Sequence, residues 1–140
     1  NIKIIMIDNM MTQRFASLFN LPSTGLFSFI EADIIKYDLE SILERDDIVI
    51  HLAAITDAAG SFERSEELEN NNYFGTLKIA ESCLNKGAKL ISLSSTSVYG
   101  TQNLLVSEDC SPEELRPQSP YATTKLKEED FILDLCKKNI

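Results

Sequence analysis

Tyr121 and Lys125 stand four residues apart behind the pair Ser119-Pro120, and upstream of them Ser94, Ser95, Thr96 and Ser97 form an unbroken run of hydroxyls. A serine followed by proline reads as a helix N-cap and first helical position, so the phenol and the ammonium share one helix face, one turn apart. An ordinary phenol, titrating near ~10, is a poor base at neutral pH. A cation about 4 Å away in a partly screened site is worth ~4 kcal/mol, or ~3 pKa units, which is enough to change that.

The chemistry such a group suits is alcohol oxidation. A poised phenolate takes the proton from a substrate hydroxyl while hydride leaves the same carbon for a nicotinamide, and Ser95 holds the oxygen whose charge changes. A Tyr with a Lys four residues on is by itself a weak signal. What strengthens it is the order of the surrounding stretches, SSTSVYG and then SPYATTK.

These groups need elements to bring them together. Leu90, Ile91 and Leu93 form an apolar run that reads as a parallel strand, delivering the hydroxyls to its carboxyl end, where open α/β sheets bind ligands. A loop with Pro112 and Pro117 leads to a helix over residues 121–138 with Leu126, Phe131, Leu133 and Leu135 available for burial. Buried strands are also read over residues 2–7, ending at Asp8, over 27–32, ending at Asp33, and over 48–52, delivering Ala53 and Ala54. A short helix is expected within 10–21, and another over Leu39, Ile42 and Leu43 capped by Asp38. A long crossover helix fits 66–86, stopped by Gly87. Gly75 inside it costs ~1 kcal/mol against alanine, which suggests close approach of another backbone. His51, the sole histidine, alternates within its strand as a structural imidazole would.

The runs DIVIHLAAITDA, NNNYFGTLKIAESC, SSTSVYG and SPYATTKLKEE together resemble the extended short-chain dehydrogenase/reductase family, in its branch of NAD-dependent epimerases and dehydratases of nucleotide sugars, across nearly the whole chain. The resemblance implies a Rossmann-like, doubly wound parallel sheet of α/β class. It makes Tyr121 the base, gives Lys125 the tasks of acidifying that phenol and holding the nicotinamide ribose, and has Ser95 orient the sugar hydroxyl. Asp8 and Asn9 fall where the family binds the adenosine ribose, favouring NAD over NADP. Asp33 and Ile34 correspond to the adenine contacts, and Leu52, Ala53, Ala54 and Thr56 to the cofactor cleft. Asn72, in an Asn-x-x-Gly-Thr signature, would fix the neighbouring strand end. Homodimers through the helices after Ser65 and Pro120 are a further implication.

Two departures matter. Dehydratases of this branch carry an Asp-Glu pair after the position of Ser95; Thr96 and Ser97 stand there, and two neutral hydroxyls cannot run that elimination, so an epimerase is preferred, with a reductase as the other option. The family's glycine-rich phosphate loop should lie roughly 20 residues before Asp8. Only seven residues precede Asp8, and Gly25, Gly60, Gly75, Gly87 and Gly100 are too scattered to form such a loop. Residues 1–140 therefore read as a partial domain lacking the first strand and helix and the substrate domain. A missing central strand would leave two unpaired edges and an exposed apolar face. The competing reading is a catalytically silent fragment acting as an interaction module.

Composition sets the outer bounds. At 140 residues and 44% hydrophobic, the chain can bury a core of one domain's size. Its net charge of -9 opposes nucleic acid and anionic membrane as partners. No apolar run reaches the ~18 residues of a membrane span. Cys83, Cys110 and Cys136 are widely spaced and form no metal-ligand pattern, which fits a reducing cytoplasm.

Overall fold

Two pairs of parallel strands carry the fold in the computed structural model, which describes residues 2–56, 60–101 and 105–138. Strand β1 (Ile2–Asp8) pairs with β2 (Gly25–Glu31), setting Asp8 opposite Glu31, and β3 (Ile48–His51) pairs with β4 (Lys89–Ser92), setting His51 opposite Ser92. The pairs form two separate sheets, so β1 and β3 each keep one unpaired edge among the described residues. That is the consequence expected for a sheet without its central strand.

The connection from β3 to β4 runs through one long helical segment. It begins as α1 (Ser65–Leu68), passes through a π-helical turn at Glu69–Tyr73, and continues as α2 (Phe74–Lys86). Gly87 ends it in the left-handed region at φ 70°, donating to the Cys83 and Leu84 carbonyls. Beside Gly75 the nearest groups to an added Cβ are Ile34 Cγ2 at 3.9 Å and Ile35 Cγ1 at 4.0 Å, both side chains at ordinary contact. The expected close backbone approach is therefore not made.

Shorter segments also depart from the sequence reading. Between β1 and β2 a single 3-10 turn at Phe15–Leu18 replaces the expected helix, because Met10, Gln13 and Asn20 all take positive φ and interrupt any longer one. Leu39–Ser41 is likewise one 3-10 turn; the Asp38 side chain does not cap it, and the Asp38 carbonyl accepts from Ser41 instead. Helix α3 (Pro120–Lys138) starts as predicted, with the Ala122 N–H donating to Ser119 Oγ at 3.1 Å.

One core lies under both sheets. Leu39, Leu43, Ile79 and Cys83 form its buried centre, joined by Ile7 of β1, Val49 of β3 and Leu90 of β4. Because α2 covers this face only, the alternate side chains of β3 stay open: Ile48 is 62% exposed and Ile50 59%. Strands read from sequence as buried on both faces are thus buried on one. Among the described residues, no helix is long and apolar enough to cross a membrane.

Candidate functional site

The hydroxyl cluster sits where β4 ends. Past Ser92 the chain enters a 3-10 turn at Thr96–Tyr99 capped by Ser95, whose Oγ accepts from the Ser97 N–H at 3.2 Å and lies 2.8 Å from Ser97 Oγ. Gly100 closes the turn at φ 63°, with the Arg116 carbonyl so near that an added Cβ would stand 2.0 Å from it. Arg116 in turn donates from its N–H to the Val98 carbonyl at 3.1 Å. The backbone of the turn that Ser95 caps is therefore held against the Arg116 segment.

Lys125 reaches the same place from α3. Buried to 5% exposure, its Nζ donates to the Leu93 carbonyl at 3.1 Å and to Glu128 Oε2 at 2.9 Å. Tyr121 begins the same helix, half-buried, with its N–H 3.4 Å from Ser61 Oγ. Among the described residues no hydrogen bond joins the Tyr121 hydroxyl to Lys125 or Ser95. Glu128 is the group that sequence reading overlooked. Its spacing of three from Lys125 was a visible ion-pair signal, but the burial that makes the pair unusual was not.

His51 lies at the end of β3 with Nε2 3.1 Å from Thr76 Oγ1. Burial, and then the positive charge of Lys125, lowers its pKa from 6.5 to about 4, so the imidazole is neutral at pH 7 and serves as the structural group expected.

Asn72, fully buried in the π-helical turn, holds both polar groups of one residue: Oδ1 accepts from the Ile55 N–H at 2.8 Å and Nδ2 donates to the Ile55 carbonyl at 2.9 Å. Those bonds act as a one-residue sheet pairing and anchor the stretch that follows β3. Leu52, Ala53 and Thr56 are exposed there and Ala54 is half-buried. The small alanine side chains leave this backbone open to a ligand.

The other predicted residues meet at the carboxyl ends of β1 and β2. Asp8 Oδ1 accepts from the Met10 N–H at 2.6 Å, Asn9 Oδ1 from the Met11 N–H at 3.0 Å, and Asp33 Oδ1 from the Ile35 N–H at 3.0 Å. The Ala32 N–H donates to the Asp8 carbonyl at 3.0 Å, which sets the two acids on neighbouring chains. Ile34 is half-buried against the Gly75 turn of α2, and Lys78 of that helix donates to the Ile35 and Tyr37 carbonyls at 2.7 and 2.6 Å. Each Asp spends one oxygen on a local turn and keeps a second for another donor, with Lys36 3.5 Å from that of Asp33. Among the described residues no cluster of His, Cys, Asp or Glu could hold a metal ion.

The chain is similar to known proteins in sequence and in fold. Residues 1–139 match the family described as NAD dependent epimerase/dehydratase. A dTDP-D-glucose 4,6-dehydratase of Dictyostelium discoideum is 33% identical over 124 residues, covering 79% of this chain and 29% of that protein. A UDP-N-acetylglucosamine 4-epimerase from Methanobrevibacter ruminantium M1, solved with UDP-N-acetylmuramic acid, superposes with a TM-score of 0.85 at 31% identity, covering 96% of this chain and 43% of that one. The UDP-glucuronic acid 4-epimerase of Bacillus cereus, solved with UDP-glucuronic acid and NAD, gives 0.83 at 33% identity, covering 98% and 45%. The chain thus spans less than half the length of each of these proteins.

Proposed function

This chain belongs to the NAD dependent epimerase/dehydratase family, and we propose that it forms the central part of an NAD-dependent epimerase of nucleotide sugars. Its residues suit that cofactor at two ends. Asp8 and Asp33 keep carboxylate oxygens for the ribose hydroxyls and the adenine amine, with Ile34 against the ring and Asn9 alongside. Ala53 and Ala54 let the dinucleotide approach the backbone between Leu52 and Thr56, a stretch tied down by Asn72. Lys125 and Tyr121 serve the nicotinamide ribose. NAD, when bound, supplies a reversible hydride acceptor.

The remaining work falls to side chains of this chain. Tyr121 takes the proton from a sugar hydroxyl and later returns it; Lys125 makes that phenol more acidic, and Ser95 orients the hydroxyl. What supports the reading most is a single contact: Lys125 Nζ bonds the Leu93 carbonyl at 3.1 Å, two residues before Ser95, so cation and serine share one strand end. Neutral Thr96 and Ser97, where dehydratases of this branch carry acids, favour epimerisation over elimination. A reducing compartment suits Cys83, Cys110 and Cys136, all free thiols. A homodimer through the helices after Ser65 and Pro120 is part of the same reading.

The test is turnover. The protein, in the full length its gene encodes, is incubated with NAD and a panel of UDP- and dTDP-hexoses, and products are followed by NMR. Conversion at one ring carbon, reduced by a factor of about 10²–10⁴ in Tyr121→Phe, is the expected result. No conversion of any sugar would leave the silent interaction module as the better account, and full activity in Tyr121→Phe would overturn the role given to Tyr121.

A further inference from the structure

The proposed mechanism uses Lys125 but gives no role to the carboxylate beside it. Glu128 lies one turn further along α3, and its Oε2 meets Lys125 Nζ at 2.9 Å with both side chains almost wholly out of water, at 6% exposure for the lysine and 3% for the glutamate. Its other oxygen, Oε1, is buried with no hydrogen-bond partner among the described residues. A buried carboxylate oxygen left without a donor is destabilising, so stability alone does not account for this residue's placement. The pair borders a cavity of ≈ 430 Å³ whose wall includes Leu93, Ser94, Lys125 and Glu128.

An ammonium in such a place has two options. Burial alone disfavours the charged form of an amine. A carboxylate in contact offsets that penalty and keeps the proton on the amine. Three other ionisable groups bear on the site. His51 feels the charge of Lys125 from β3 and is itself neutral at pH 7. Glu129, the next residue of α3, accepts from Ser94 Oγ and also borders the cavity. Tyr121 opens the same helix.

We infer that Glu128 is a positioning residue for the proposed Tyr121/Lys125 pair: its buried carboxylate keeps the Lys125 ammonium charged and held on the Leu93 carbonyl, beside Ser95. The inference rests on the reading of Tyr121 and Lys125 given above. It assigns Glu128 no contact with substrate. Its effect passes through the lysine, so Tyr121 becomes less acidic when Glu128 is neutralised.

Phenol ionisation followed at 295 nm measures this without turnover. Subtracting the titration of Tyr121→Phe from that of the wild type isolates Tyr121. A component ionising below the ordinary phenol range is expected, moving up by about one to two pH units in Glu128→Gln and back toward the wild type in Glu128→Asp. Circular dichroism confirms that each variant is folded. Should Glu128→Gln not fold, Glu128→Asp alone still reads out, with a smaller upward shift from its lengthened ion pair. An unmoved component, or one that moves down because the carboxylate had been masking the lysine, overturns the inference about Glu128. A wild-type difference titration with no early-ionising phenol overturns the Tyr121/Lys125 reading and this inference together.

Discussion

The two strand ends of this molecule hold their polar side chains in opposite ways. At β1–β2, Asp8, Asn9 and Asp33 each bond the N–H two residues on, in water-accessible turns. At β3–β4, Asn72 reaches back 17 residues to Ile55, Lys125 32 residues to Leu93, and His51 25 residues forward to Thr76, all from buried positions. A local turn needs only its own residues, whereas a long-range buried bond exists only if the whole core forms. The second site is therefore built into the fold, while the first is attached to it.

Substitutions can break that contrast, and the largest effect is expected at Gly100. An alanine there meets the Arg116 carbonyl at 2.0 Å in a backbone region that suits only glycine. Gly100→Ala should cost more than about 3 kcal/mol in urea unfolding, since carbonyl and turn must both move. Asn72→Ala comes next. It strands the N–H and carbonyl of Ile55 together, and about 2–3 kcal/mol is expected by the same measurement.

His51 gives a smaller, pH-dependent effect. Its imidazole sits at about 4 in the fold against 6.5 for an ordinary histidine, so the unfolded chain binds the proton first. Stability is therefore complete above about pH 6.5 and falls as pH drops toward 4, by about 2 kcal/mol between pH 7 and pH 5. His51→Gln should lose that share of the pH dependence. If the two proteins weaken in parallel, the imidazole is not protected as described.

Smallest is Asp8→Ala, which removes one exposed turn bond and should cost less than about 1 kcal/mol. A larger loss there would erase the contrast between the two ends.

How much of this could be read beforehand follows from the same distinction. Short apolar runs, the Ser119-Pro120 start of α3 and the Gly87 stop are local signals, and each stands close to where the sequence puts it. So are the Asp8-Asn9 turn and the N-x-x-G-T signature around Asn72. The π-helical turn carrying Asn72 has no local signature, and the bonds that Asn72 makes from it reach 17 residues back to Ile55. Glu128 could be seen as a neighbour of Lys125 but not as a buried one, since its burial depends on how α3 packs on the rest of the chain. The open face of β3 was anticipated from the missing strand, yet the strands themselves read as fully buried because apolar sequence does not reveal which cover is present. Asp38 precedes its turn as the sequence suggests, but its side chain makes no cap and its carbonyl accepts from Ser41 instead.

The account depends on a charge acting on a phenol, and the pH–rate profile of the proposed epimerisation tests that directly, comparing the wild-type protein at the full length its gene encodes with Lys125→Met. We expect the wild type to gain rate through a limb near neutral pH and the variant's limb to move toward the ordinary phenol range near ~10. A limb that stays in place when the lysine charge is removed would contradict the account.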